Sequence, residues 1–227
     1  FAMTVALNLA IANGHTIVIH PKFDLKHVLK DIVDKRPTLM PGVSTLYATI
    51  NNARNIGQYD LSSIKMCISG GGPLALEVKE NFEKLTGCIL VEGYGLTESS
   101  PVTHCNPLKG DRRKGSIGLP LPGTVCEIID KDDKVTVMKV GEIGEVCIRG
   151  PQVMLGYLNR PDETDNVIRD GRLHTGDLGY MDKDGYFYIV DRLKEMIIVG
   201  GDNVYPRNVE EVMYTHPSVA ECAVVGL

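Results

Sequence analysis

None of the six cysteines stands in a CxxC spacing, and the six histidines show no metal-ligand spacing, so neither a zinc site nor a disulfide framework is indicated. The cysteines, at 67, 88, 105, 126, 147 and 222, lie mostly inside apolar runs, where a reduced thiol behaves as a small hydrophobe. A reducing cytoplasm is the simplest setting for such a chain. There is no surplus of positive charge: 24 basic against 29 acidic residues give a net charge of -5, which argues against a nucleic-acid binder held by a basic face. Long apolar runs are also missing. The opening from Phe1 to Ala12 is too short to span a bilayer and carries Asn8, and with no basic leader or small-residue cleavage site no signal peptide is expected. No tryptophan, repeat or low-complexity segment occurs. What remains is ordinary globular composition, 43% hydrophobic and 23% charged over 227 residues, enough for one large or two smaller domains.

The first part alternates helix and strand patterns. Met3 to Ala12 reads as a helix closed by Asn13-Gly14, and Thr16 to Ile19 as a short buried strand. From Asp24 to Arg36 the residues Leu25, Val28, Leu29, Ile32 and Val33 form one helical face, stopped by Pro37. A helix from Gly42 to Asn52, a strand Ile64–Ser69, a helix Leu74–Leu85 capped by Gly87 and a strand Cys88–Val91 follow, implying a largely parallel layered sheet. After Gly115 short runs alternate with turns: Thr124–Asp130, Val135–Lys139 and Gly144–Arg149 read as antiparallel hairpins of a barrel-like unit. Residues 157–169 read as helical, with Pro161 near the start. Beyond Arg192 come a strand Met196–Val199, a helix opened by Pro206 and running to Thr215, and a strand Val219–Val225. The texture predicts divisions at 1–114, 115–192 and 193–227. The uncapped Val224-Val225-Gly226-Leu227 end and the non-Met start predict a piece of a longer protein.

Three constellations carry chemistry. Ser69-Gly70-Gly71-Gly72-Pro73-Leu74 joins a strand to a helix, where glycines let the backbone approach a ligand; alone it is equally a tight turn. It has neither the Lys-Ser/Thr of a P-loop nor GxGxxG order. Glu92-Gly93-Tyr94-Gly95-Leu96-Thr97-Glu98 follows a strand C-terminus, the ligand-binding edge of an open parallel sheet. Tyr94 could stack on a base, Thr97 bond a phosphate oxygen and Glu98 hold Mg²⁺. The alternative is a polar loop with a buried tyrosine. Residues 170–192, DGRLHTGDLGYMDKDGYFYIVDR, place Asp170 and Asp177 around a His174-Thr175-Gly176 turn, followed by a strand ending at Arg192. An ionised Asp accepts two hydrogen bonds, suiting vicinal ribose hydroxyls, and Arg brings a planar donor fork; a hairpin with a surface ion pair fits the same spacing.

These segments together resemble the adenylate-forming enzymes: acyl- and aryl-CoA synthetases, luciferases and peptide-synthetase adenylation domains. The likeness is greatest to bacterial long-chain fatty acid–CoA ligases, with Arg172 and Leu193 standing where those carry Trp and Lys. The resemblance implies an α/β fold with a β-barrel-like subdomain, part of a large N-terminal domain followed by the start of a small α+β lid. It also implies ATP and Mg²⁺ as cofactors with CoA as cosubstrate. By resemblance, Gly71, Gly72, Pro73, Glu92, Gly93, Tyr94 and Gly95 lie against the nucleotide, Thr97 meets phosphate and Glu98 binds magnesium. Asp177 and Arg192 hold the ribose, Lys194 is the lid hinge, and Gly200 and Gly201 meet CoA. Asp202 departs from the usual residue beside them. The segments 115–120, 141–145 and 149–157 match family landmarks and are expected to be turns and barrel scaffold.

The implied activity is ATP-dependent conversion of a fatty acid through acyl-AMP to acyl-CoA, with Gly42 to Tyr47 similar to the segment lining the acyl tunnel. Two family elements, a Ser/Thr/Gly-rich triphosphate loop and a catalytic lid Lys, are expected to lie outside these residues, which would leave the piece inactive alone. A carrier-protein-loading enzyme and a non-catalytic nucleotide-binding fragment stay open. The expected setting is cytoplasmic, with peripheral contact at the inner membrane face and a homodimer among the options, and no nucleic-acid partner.

Overall fold

Asp24 sets the first well-packed helix: its carboxylate accepts the His27 N–H at 2.9 Å, satisfying an otherwise orphaned donor. In the computed structural model, which describes residues 1–199, 202–214, 216, 218–219 and 222–226, the chain forms two compact units, Phe1–Leu121 and Pro122–Leu227. The first opens with a π-helical turn Met3–Asn8 that continues into α1 (Leu9–Ala12). There follow α2 (Leu25–Lys35), β1 (Leu39–Gly42), α3 (Ser44–Asn51), β2 (Met66–Ser69), α4 (Leu76–Thr86), β3 (Ile89–Gly95), β4 (Val102–Cys105) and β5 (Leu119–Pro120). The sheet order is β1-β2-β3-β4-β5. It is parallel from β1 to β3 and antiparallel beyond, so the largely parallel pattern expected holds as far as β3.

The helical face read from the sequence does pack: Leu29 and Ile32 of α2 join Tyr47, Ile50, Phe82 and Leu90 in one buried cluster. Tyr47 meets Phe82 edge-on at 4.9 Å and donates its hydroxyl to the carbonyl of Met40 at 2.8 Å, so its polar end is satisfied inside the core. Of the Gly42–Tyr47 segment, Tyr47 is core, and Val43 and Thr45 are the exposed residues. The expected strand Thr16–Ile19 is not one. A strand needs a ladder partner, no described strand pairs with it, and Ile19 is largely exposed. Conversely β1 escaped the sequence reading because it is short and carries Pro41, which sheets tolerate only at an edge such as this one.

The second unit contains β6 (Val125–Ile129), β7 (Gly144–Arg149), α5 (Pro161–Val167), β8 (Ile168–Arg169), β9 (Arg172–Met181), β10 (Phe187–Arg192), β11 (Ile197–Val199), β12 (Asp202–Val204) and α6 (Pro206–Tyr214). Five of its strands make an antiparallel sheet ordered β10-β9-β7-β6, with β8 on β9, while β11 and β12 pair separately. Buried Ile129, Val146, Ile148, Leu173 and Leu178 fill its core. Val135–Lys139, expected as a strand, makes only one bridge, Val137 to Ile129. The Asp133 carboxylate takes the Val135 and Thr136 N–H groups at 2.8 and 2.9 Å, diverting them from a ladder. In the last expected strand, Val219 and Cys222–Gly226 carry no strand; the Glu210 carboxylate takes the Val224 N–H at 2.8 Å, and residues 220 and 221 lie outside the described residues.

Candidate functional site

In the first unit, parallel pairing of β2 with β3 sets Ser69 beside Glu92 and so brings the glycine loop to the Glu92–Glu98 segment. The Leu74 N–H, just past Gly71-Gly72-Pro73, donates to the Glu92 carboxylate at 3.4 Å. β3 then runs through Gly93, Tyr94 and Gly95 before a one-turn 3-10 helix, Thr97–Ser99. Gly95 has no room for a side chain: a Cβ there would sit 1.7 Å from the Pro101 carbonyl oxygen. Ser99, which the sequence reading passed over, fixes the turn from inside. Its hydroxyl accepts the Leu96 N–H at 3.0 Å and lies 2.8 Å from the Pro101 carbonyl, leaving Thr97 exposed and Glu98 half-buried. The chemical result is a hydroxyl and a carboxylate side by side on a rigid turn, both able to offer hard oxygen donors.

Tyr94 faces His104 across the β3–β4 pairing, ring centroids 5.8 Å apart. His104 is fully buried, with Nδ1 2.9 Å from the Thr103 hydroxyl, and burial lowers its pKa from 6.5 to about 3. The unfolded chain therefore binds a proton that the folded one refuses between those two values, and stability falls as pH drops through that window. At pH 5 this group should cost about 2 kcal/mol relative to pH 7. Denaturant melts at the two pH values should show a correspondingly smaller difference in a His104→Gln variant; an unchanged difference would assign the acid sensitivity elsewhere.

In the second unit the expected ribose pair meets across β9 and β10. Asp177 is directly opposite Arg192, with Oδ1 3.4 Å from Nε, the carboxylate buried and the arginine side chain 57% exposed. A carboxylate and a donor fork thus share one face. Asp170, the other acid flanking this segment, sits in the tight turn before β9 with φ 49 and is not part of the pair.

The expected turn at His174-Thr175-Gly176 is instead a bulge inside β9. Pairing with β7 is regular at Gly144↔Gly179 and Glu145↔Leu178 and resumes at Cys147↔His174, so Thr175, Gly176 and Asp177 together face Val146 alone. Gly176 has φ +73, the left-handed backbone that this bulge requires. Three hydrogen bonds hold it: the Thr175 hydroxyl to the Val146 carbonyl at 2.8 Å, the Asp177 N–H to that hydroxyl at 3.1 Å, and the Gly176 N–H to the Glu145 carboxylate at 3.0 Å.

Glu145 is almost fully buried, and its second oxygen lies 2.8 Å from His174 Nδ1. The Cys147 sulfur stands 3.3 Å from the same nitrogen. These three are the one group of metal-capable donors among the described residues. The Glu145–His174 separation is a hydrogen-bond distance, shorter than the ~3.3 Å between two donors sharing a tetrahedral ion. The group reads as a hydrogen-bonded cluster. The 141–145 segment, expected as a turn, instead carries Glu145 into β7; a glutamate near the start of a largely apolar strand is its one signal in the sequence.

Arg172, a departure from the resembling family, bonds Glu127 through Nε at 2.7 Å, and this pairing holds the Glu127 carboxyl below its ordinary pKa. Asp191, also unassigned by sequence, accepts the Arg192 N–H at 2.7 Å and the Arg207 N–H at 3.1 Å, tying β10 to the start of α6. Lys194 is exposed, in a turn where the Glu195 N–H reaches the Arg192 carbonyl at 3.0 Å. Gly200 and Gly201 lie outside the described residues, and Asp202 opens β12. No helix among the described residues is long and apolar enough to cross a membrane.

A family model described as AMP-binding enzyme matches residues 1–158. The chain is 48% identical over 227 residues to a long-chain-fatty-acid–CoA ligase of Bacillus subtilis, covering all of this chain and 40% of that protein. It is 38% identical over 218 residues to a feruloyl-CoA synthase of an Amycolatopsis species, covering 96% of this chain and 44% of that one. Among solved structures, an anthranilate CoA ligase with anthranoyl-AMP superposes with a TM-score of 0.91 at 31% identity, over 100% of this chain and 44% of its own. ATP-bound MatB from Rhodopseudomonas palustris gives 0.89 at 32%, over 100% and 45%. The chain thus spans about 40% of the length of the long-chain ligase that it matches. With the family model covering well over half of its residues, the chain belongs to the AMP-binding, adenylate-forming enzyme family.

Proposed function

We propose that the chain is the central and early lid portion of an ATP-dependent ligase that activates a long-chain fatty acid through acyl-AMP to acyl-CoA. The observation that carries this reading is the 48% identity along the whole chain to a long-chain-fatty-acid–CoA ligase. In the first half-reaction a carboxylate oxygen attacks the α-phosphorus of ATP and pyrophosphate leaves. In the second, the CoA thiol attacks the acyl carbonyl, the thioester forms and AMP leaves. No protein nucleophile is required, so the chain's work is positioning and charge stabilisation.

Within this proposal Gly71, Gly72, Pro73, Glu92, Gly93, Tyr94 and Gly95 lie against the nucleotide, and Thr97 donates to a phosphate oxygen. Glu98 suits magnesium because a half-buried carboxylate on a fixed turn is a hard-oxygen ligand. When bound, the ion would neutralise charge on the phosphates. Asp177 and Arg192 take the ribose, Lys194 is the hinge, and Gly200 and Gly201 meet CoA. The division at 1–114, 115–192 and 193–227, a cytoplasmic location, peripheral membrane contact and a homodimer belong to the same proposal.

The test is fatty-acid-dependent pyrophosphate release by the full-length protein, with palmitate against ferulate as acid and CoA against a phosphopantetheinyl carrier as acceptor. Palmitoyl-CoA formation supports the reading. Preference for ferulate would move the substrate towards the aromatic acids named for one relative, and preference for the carrier would move the acceptor. In the same assay Glu98→Gln should depress adenylation and raise the magnesium requirement, since one charge leaves a hard-cation site. Unchanged magnesium dependence would remove Glu98 from it.

A further inference from the structure

We infer that Glu145 is a positioning residue for the nucleotide site, setting how well the enzyme distinguishes ATP from a sugar-deoxygenated analogue. The inference rests on the proposed ribose role of Asp177. Glu145 itself touches no substrate in that reading. It acts on the bulge of β9 from β7, where its two oxygens take the Gly176 N–H at 3.0 Å and His174 Nδ1 at 2.8 Å, beside the bond from the Thr175 hydroxyl to the Val146 carbonyl. These donors flank Thr175 on either side and end immediately before Asp177. A bulge re-aims the side chain that follows it. Here that side chain is the carboxylate opposite Arg192.

The energetic case is one of burial. An almost fully buried carboxylate is costly unless its oxygens are hydrogen-bonded, and packing alone would favour an apolar residue in the midst of Val146, Cys147 and Ile148. An ionised carboxylate only accepts, so it can gather an N–H from the backbone and one from an imidazole simultaneously. Shortening it by one methylene removes that span while keeping the charge. Glutamine keeps one acceptor for Gly176 and can meet His174 in its other tautomer.

Steady-state constants for ATP and for 2′,3′-dideoxy-ATP, measured on the full-length protein together with thermal melts, test this. The parent should prefer ATP, and Asp177→Ala should abolish the preference. Glu145→Asp should reduce it about tenfold, the size of one hydrogen bond to a charged group, with KM for the fatty acid unchanged. Glu145→Gln should stay near the parent, and Glu145→Asp should change the preference no further in an Asp177→Ala background. A Glu145→Asp enzyme that melts lower but keeps the full preference, while Asp177→Ala loses it, overturns the positioning role alone. A preference surviving Asp177→Ala overturns the ribose reading and this inference with it. Zinc retained stoichiometrically by the purified parent and lost in Glu145→Asp would make the cluster a metal centre instead.

Discussion

Replacing Asp177 with alanine in the full-length protein should weaken ATP binding roughly ten- to hundredfold, the range given by losing hydrogen bonds to a charged group of about 1.5–3 kcal/mol. Fatty-acid affinity should change far less. The carboxylate is buried, opposes Arg192 at 3.4 Å and sits at the end of a bulge in which three residues of β9 face Val146. Alanine leaves the backbone of that bulge intact, since Thr175 and Gly176 make the holding contacts with their own atoms. Arg192 would lose its partner but is over half exposed and stays hydrated. The loss should therefore register in ligand affinity more than in folding. Calorimetric titration with ATP decides the matter: an unchanged dissociation constant would take Asp177 out of the ribose site.

The second large effect is expected at Lys194. Lys194→Pro should leave acyl-AMP formation near the parental rate and cut transfer to CoA by about tenfold or more, whereas Lys194→Ala should keep both half-reactions. Proline fixes φ near -65° and so opposes a backbone rotation that a hinge must absorb. The structure adds a second reason. Lys194 is the third residue of the turn closed from Glu195 N–H to the Arg192 carbonyl, and proline at that position drives the preceding residue, Leu193, out of the helical region. The expected signature is thus unequal damage to the two steps. Pyrophosphate release and thioester formation measured separately would sink the hinge assignment if both fell equally, or if neither fell.

The contrast between what the residues announced and what they concealed has a physical pattern. α2 and α4 were readable because each buries one continuous face, and the α2 cap is set by a side chain three residues away. β10 was readable as the strand that ends at Arg192, whereas β9 was not, because its bulge at Thr175–Asp177 reads as a turn. What escaped depends on partners distant in sequence. Thr16–Ile19 has strand composition, but no described strand lies alongside it. β4 follows a turn that Ser99 stabilises from within, a contact with no periodic signature. The acid and the arginine of the candidate ribose site were found by resemblance, yet their meeting depends on an irregularity of register between β9 and β10. Without the one at Val190, the pairing that starts at Phe187↔Met181 would carry Arg192 to Gly176 and not to Asp177. Glu145 stands out only as an acid in an apolar run, and its contacts appear only when β7 is laid against β9.

Asp191 has a mechanical consequence if Lys194 is the pivot. Its carboxylate grips the Arg192 and Arg207 N–H groups together, and the Arg207 guanidinium reaches the Ile189 carbonyl at 3.3 Å. Swinging α6 away from β10 would first have to undo the two Arg207 bonds, so they form a latch across the pivot. The arginine of the ribose pair hangs from the same carboxylate that fastens the latch. One buried acid would then hold the moving segment by one oxygen and the backbone of the ribose-pair arginine by the other.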